Sequence, residues 1–155
     1  MRIRIVAVGR LRAGPEATLI QDYLARFEKT GRALSLGPVD VVELDAKRGG
    51  QAEEAGLLMR ALDGAERVIG LDERGKQMGS PDLSQMLARL RDDGVRDLSF
   101  IIGGADGLTA QVRQRADMLL SFGKMVWPHM LARVMLAEQL YRAASIEAGS
   151  PYHRV

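Results

Sequence analysis

Short apolar runs bounded by glycines alternate with amphipathic helical stretches along this chain, and that alternation predicts an α/β fold, a mostly parallel sheet with helices on both faces. The connections between the runs are short, and nothing recurs at a fixed period. With 155 residues, 46% of them hydrophobic and 5% aromatic, the chain is long enough to bury one core, so a single domain over residues 1–155 is expected.

RIRIVAV (residues 2–8) alternates polar and apolar before becoming continuous, as a strand does on entering a covered sheet, and Gly9 ends it. Pro15 suits the first turn of a helix, in which Leu19, Tyr23, Leu24 and Phe27 recur at helical spacing as far as Gly31. VDVVELD (39–45) is a β-branched strand. A glycine-bearing loop with Lys47 and Arg48, a pair able to bind phosphate, leads into a helix over about 52–62. Residues 68–71 read as a buried strand and 72–80 as the loop leaving its carboxyl end, where ligands settle in open α/β sheets. Ser80 is placed to cap a helix with Pro81 at its first position and Leu83, Met86, Leu87 and Leu90 on one face. Residues 98–102 form the next strand, Thr109 caps a short polar helix to about Ala116, residues 118–122 form a fifth strand, and Pro128 precedes a final helix to about Ala148. On that last helix Met130, Leu131, Val134, Met135, Leu136, Leu140 and Tyr141 spread round more than one face. One face is expected to pack on the sheet and another to meet a second subunit, giving a homodimer.

Composition removes several classes of chemistry. The chain has no cysteine, which excludes disulfides, thiolate metal sites and a cysteine nucleophile, and its two histidines are too few for a typical zinc centre. No metal is expected. No apolar run approaches the roughly 20 residues of a membrane span, and MRIRIVAVG is too short and too alternating for a signal peptide, so a cytoplasmic protein is expected. The formal net charge is only +2, so any basic surface that meets nucleic acid must be local.

The stretch from Phe100 onward carries the chemistry. FIIGGADG (100–107) is an apolar strand ending in Gly103 and Gly104, with Gly107 three residues on, and such a turn lets backbone approach a nucleoside closely. Its spacing is not the dinucleotide pattern G-x-G-x-x-G. GLDERGKQ (70–77) imitates a phosphate loop, but Gln77 lacks the hydroxyl that would hold magnesium and no helix begins at Lys76, which argues against a nucleoside triphosphatase. On and after the final helix stand His129, Arg133, Glu138, Arg142, Tyr152, His153 and Arg154, a concentration of acid, base and cationic groups beside the glycine-ended strand.

LDERG at 71–75, FIIGGADG at 100–107, PHMLARVMLAEQLYRA at 128–143 and SPYHR at 150–154 together resemble the RlmH-type large-subunit ribosomal RNA methyltransferases of the SPOUT superfamily, over essentially the entire chain. The resemblance implies a C-terminal trefoil knot, with the cofactor-binding knot region over about 68–155, a fold that base rates alone would reject. It implies a homodimer that binds S-adenosyl-L-methionine and methylates N3 of a pseudouridine in 23S rRNA of the assembled ribosome. Cofactor contacts carried over by the resemblance are Leu71, Gly103, Phe122, Gly123, Lys124, Met125, Val126 and Trp127. Gly123, Lys124 and Val126 depart from the family's usual serine, small residue and threonine, so backbone groups are expected to make the contacts there.

An imide N3 is a poor nucleophile until it loses its proton, so methyl transfer to it requires a base or a positive field. His129, His153 and Glu138 can take the proton, while Arg133, Arg142 and Arg154 can hold phosphate or the developing anion. The tail from Tyr152 to Arg154 is expected to close over the partner subunit's cofactor. Two alternatives stay open on the residues alone: a ribosome-binding α/β module without catalysis, and an α/β enzyme using another nucleotide in the same cleft.

Overall fold

The computed structural model describes residues 1–154. Among these residues five strands and five α-helices alternate: β1 (Arg2–Val8), α1 (Pro15–Gly31), β2 (Val39–Leu44), α2 (Gln51–Ala61), β3 (Arg67–Lys76), α3 (Ser80–Asp92), β4 (Asp97–Ile102), α4 (Ala110–Arg115), β5 (Met118–Leu120) and α5 (His129–Glu147). The strands lie in the order β2-β1-β4-β3-β5 and every neighbouring pair is parallel, as the alternation predicts.

Successive side chains of a strand point to opposite faces, and that divides the core in two. Ile3, Ile5 and Ala7 of β1 join Leu98, Phe100 and Ile102 of β4 beneath α1, α3 and α5, with Phe27, Leu87, Leu136 and Leu140 filling the layer. Val6, Val8, Val68 and Ile101 face the other way, against Leu58 and Leu62 at α2 and Val112 of α4. Helix α5 packs between α1 and α3, and two hydroxyls fasten it: Ser84 Oγ donates to the Ala143 carbonyl at 2.8 Å and Ser80 Oγ to Gln139 Oε1 at 2.6 Å. No helix among the described residues is long and apolar enough to cross a membrane.

Three local features differ from the sequence expectation. Ser80 is the first helical residue rather than the cap. Gly79 holds the cap position and its N–H donates to the Asp82 carboxylate at 3.0 Å, a carboxylate well placed at the positive end of the helix. The fifth strand stops at Leu120, because Ser121 turns the chain by bonding through its hydroxyl to Gly123. Most importantly, the third strand does not give way to a loop at Asp72; it continues to Lys76 after arching outward. Leu71 and Lys76 both pair with Leu120, so the residues between them bow away from β5 and return to it. Ser121 closes this arch, its N–H donating to the Lys76 carbonyl at 2.9 Å and its hydroxyl to the Glu73 carbonyl at 3.2 Å.

Gly75 is where the arch touches β5. A Cβ there would lie 2.6 Å from the Leu119 carbonyl carbon and 2.8 Å from the Leu120 nitrogen, both backbone atoms that cannot rotate aside. Gly75→Ala is therefore expected to lower stability by about 1–3 kcal/mol, the usual cost of overpacking, measured by thermal or urea unfolding. An unchanged midpoint would show that the arch yields freely.

Candidate functional site

All five strands point their carboxyl ends to one edge, and the loops leaving that edge build the site. A cleft of about 180 Å³ opens there between the turn after β4, the arch of β3 and the loop after β5. Leu71, Gly103, Phe122, Gly123, Met125, Val126 and Trp127 all line it, together with His129 at the start of α5. Eight residues singled out in the sequence are thus brought to one cavity from four places in the chain. Lys124 lies on the same loop with its side chain in solvent and is not part of the lining. Met125 and Val126 are 74% and 81% exposed, an apolar cover standing open. Ligand pockets usually enclose roughly 300–1,000 Å³, so this cleft needs a further surface to bury a nucleoside-sized molecule.

Gly103 is held to glycine by backbone contact, and Gly104 packs against a carboxylate. A Cβ on Gly103 would lie 2.9 Å from the backbone of Gly107, and one on Gly104 would lie 2.5 Å from Glu54 Oε1. Glu54 reaches this turn from α2, and nothing in its sequence context signals that role. Its Oε2 is buried without a hydrogen-bond partner. Burial pushes its carboxyl up, the neighbouring Asp106 adds to the rise, and the Gly104 backbone N–H and His129 oppose it. Asp72, also buried, lines the cleft and accepts the Arg74 N–H at 2.9 Å. No group of three or more histidine, cysteine, aspartate or glutamate residues able to hold a metal occurs among the described residues.

The remaining candidates gather elsewhere. Arg142 stands 13 residues beyond His129 on α5, roughly 20 Å along the axis at about 1.5 Å per residue. Glu138 is the hub of this second cluster. Its Oε1 accepts from Arg142 Nε at 3.0 Å, from Arg142 NH2 at 2.8 Å and from the Tyr152 hydroxyl at 2.9 Å, while its Oε2 accepts from Gln139 at 2.8 Å. Glu138 and Arg142 pair at i,i+4 on α5, but a carboxylate engaged by four donors is set to hold others in place. Arg142 NH1 lies 3.3 Å from His153 Nδ1. A guanidinium can only donate, so Nδ1 accepts and the ring proton sits on Nε2, which remains a donor. The tail is anchored rather than frayed: Tyr152 packs on Tyr141 with ring centroids 4.5 Å apart, and Arg142 stacks over Tyr152 at 4.7 Å. Arg154 is exposed.

Burial, reinforced by the bond to Glu138, pushes the Tyr152 hydroxyl up to about 12. This group keeps its proton through neutrality and acts as a donor. In an alkaline titration followed by phenolate absorbance, one of the three tyrosines should ionise near 12 while the protein stays folded. The folded state retains a proton that the unfolded chain releases near 10, so the stabilising contribution is intact below that pH and is lost as pH rises toward 12. A Tyr152→Phe variant that leaves the late phase in place would assign it elsewhere.

Arg133 does not reach any cleft. It is 0% exposed, pairs with Glu43 at 2.8 Å and donates to the carbonyls of Gly9 at 3.0 Å and Val8 at 3.4 Å. Its role is to tie α5 to the ends of β1 and β2.

A second cavity, about 530 Å³, lies between α1 and α5 and is lined by Leu19, Tyr23, Val134, Met135 and Glu138. It shares Leu120, Phe122 and Gly123 with the first cleft, so the loop after β5 is a common wall. Leu19, read from its spacing as a core position, is 44% exposed on this face, and Leu131 is 41% exposed.

A cleft beside a glycine turn at the carboxyl edge of a five-stranded parallel sheet defines an α/β protein with its site where ligands of open sheets bind. The family profile described as "Predicted SPOUT methyltransferase" matches residues 1–153, and the chain belongs to that family. It is 61% identical over 156 aligned residues to a protein of Ruegeria pomeroyi named "Ribosomal RNA large subunit methyltransferase H", covering all of both chains. It is 63% identical to the protein of the same name from Roseobacter denitrificans, covering 99% of each. Among solved structures, a "Probable Methyltransferase from Bordetella pertussis Tohama I" is similar in fold, with a TM-score of 0.56 at 15% identity, covering 92% of this chain and 96% of that one.

Proposed function

We propose that this chain is an S-adenosyl-L-methionine-dependent methyltransferase acting as a homodimer on N3 of a pseudouridine in 23S rRNA of the assembled ribosome. The observation that carries the reading is the convergence of Leu71, Gly103 and the loop from Phe122 to Trp127 on one cleft. Full-length relatives of about 60% identity, named for large-subunit ribosomal RNA methylation, support the substrate. Threading of residues 68–155 into a trefoil knot belongs to the same reading, and the arch that β3 makes around the end of β5 supports it.

The site fits such a cofactor. Gly103 and Gly104 let the turn close tightly against Gly107 and Glu54 at the wall of the cleft, the loop after β5 offers backbone groups and apolar side chains, and the carboxylates of Glu54, Asp72 and Asp106 suit a cationic ligand. The chemistry supplied by bound S-adenosyl-L-methionine is an electrophilic methyl group on a sulfonium. What the protein's own residues must do is hold the acceptor in line and relieve N3 of its proton. His129 takes that proton. It lines the cleft and, unlike Glu138 and His153, has no hydrogen-bond partner occupying its side chain among the described residues. Arg142, the Nε2–H of His153 and Arg154 supply the positive field for the anion left at N3. Since these stand far along α5 from His129 of the same chain, they reach the cleft from a second subunit. The apolar cavity with Leu19, Val134 and Met135 is the surface on which that subunit seats, and it would also cover the small cleft.

Labelled methyl transfer from the cofactor to free 23S rRNA, to separate subunits and to whole ribosomes, followed by nucleoside analysis, tests the function. Label in a pseudouridine of whole ribosomes is expected; a protein that binds the cofactor but labels nothing, or that prefers ATP in calorimetry, overturns it. His129→Ala is expected to lower kcat by about 10²–10⁴-fold with little change in KM, the usual contribution of a general base, in single-turnover assays on ribosomes.

A further inference from the structure

We propose that Arg10, Arg12, Lys47 and Arg48 form a phosphate-docking ledge for the RNA backbone beside the cleft. The proposal rests on the functional reading only in naming that polyanion as ribosomal RNA. The two loops that carry these residues leave neighbouring strands. Val8 of β1 pairs with Leu44 of β2, so the chain from Gly9 and the chain from Asp45 emerge side by side. They are then fastened to each other: the Gly9 N–H donates to the Leu44 carbonyl at 2.8 Å, the Leu11 N–H to Glu43 Oε2 at 2.5 Å, and Arg10 stands 3.7 Å from Asp45. The second loop is also fastened to the glycine turn of the cleft, because Gln51 Nε2 donates to the Asp106 carbonyl at 2.9 Å.

Four cations therefore project from a braced platform. All four are exposed, and Arg12, Lys47 and Arg48 have no carboxylate within ion-pair distance among the described residues. Ordinary surface charge needs no bracing, whereas a docking surface loses less freedom on binding if it is held beforehand. Gly49 and Gly50, at φ 68° and 92°, have nothing within 4 Å of where a Cβ would stand, so a sugar–phosphate chain can approach the backbone itself. Strand β1 lies next to β4 and β2 one place further, so at about 4.8 Å per strand the ledge stands roughly 5–10 Å from the glycine turn. That is the near side of a strand whose target base has entered the cleft. Contacts of this kind fix register and carry no base preference. They also explain how a chain of net charge +2 gathers enough local field to meet RNA.

The experiment compares ribosome binding across a salt series for the wild-type protein, the triple variant Arg12→Ala/Lys47→Ala/Arg48→Ala, and a charge-matched control, Lys29→Ala/Arg32→Ala/Arg89→Ala, whose exposed cations lie toward the opposite edge of the sheet. Arg10 is spared because of its contact with Asp45. The ledge variant is expected to reduce the slope of log K against log salt by about 2, given a slope of about 0.7–0.9 per phosphate contact. Its affinity should fall at least tenfold at low salt, with calorimetric affinity for S-adenosyl-L-methionine unchanged and the control close to wild type. A ledge variant with wild-type slope and affinity, or a control that loses as much, overturns the proposal. Wild-type protein that binds ribosomes in a ledge-dependent way but transfers no methyl group would instead overturn the functional reading and leave the ledge standing.

Discussion

Deleting residues 150–155 should lower methyl transfer by about 10²–10⁴-fold, with a much smaller loss of cofactor affinity, in a protein that still folds. The tail contributes the Tyr152 bond to Glu138 and the His153 contact to Arg142, and it covers none of the residues at the bottom of either core layer. On the proposed reading the deletion takes His153 and Arg154 out of the positive field at N3 and frees Arg142 from the tail that holds it. Complementation then separates a composite site from one built within a single chain. Gly103→Val is aimed at the cleft, since even a methyl group there meets the Gly107 backbone at 2.9 Å. In the proposed homodimer, mixing that variant with the tail-deleted chain would give heterodimers in which one cleft and one tail, from different subunits, are both intact. About one quarter of wild-type activity is expected, half of the dimers each having one of two sites. No recovery would place the tail over its own cleft, and unchanged turnover of the deletion would remove the tail from the mechanism.

Replacing Arg133 by alanine should cost about 2–4 kcal/mol, from lost charged hydrogen bonds and buried packing while the partly exposed Glu43 carboxylate returns to water, and lower the melting temperature by roughly 4–16 °C at about 2–4 °C per kcal/mol. The side chain is entirely enclosed, and its loss leaves the carbonyls of Val8 and Gly9 and the Glu43 carboxylate short of a donor. Lysine should not rescue it, because one ammonium cannot serve these acceptors with the geometry of a planar fork. Calorimetric melting of the three proteins measures this. A drop under about 1 kcal/mol would mean that water or Glu43 relaxes into the space. Glu43 also accepts the Leu11 N–H, so the damage should spread to the loop after β1 and to the docking ledge.

Much of this architecture is legible in the residues. Each strand is a short apolar run closed by glycine or a polar turn, and the parallel order follows from the helices placed between them. β3 is misread because DERGK is too polar to look like strand, and its pairing with Leu120 comes from β5, far along the chain. Local pattern holds no record of such a partner. The cleft lining could be foreseen because motifs carry it, and the Glu138–Arg142 pair because four residues make about one helical turn. Glu54 could not be foreseen: an acidic residue in the first turn of α2 is unremarkable until Gly104 is brought against it. Arg133 is read in the sequence as a cation for phosphate or the developing anion, and the burial that excludes both depends on β1, β2 and α5 meeting.

Helix α5 follows all five strands in the chain, yet it lies between α1 and α3 over Ile5, Phe100 and Leu87. Until it has left the ribosome, the strip of nascent sheet between α1 and α3 stays bare, and a chain stalled before Pro128 presents that oily surface to chaperones and proteases.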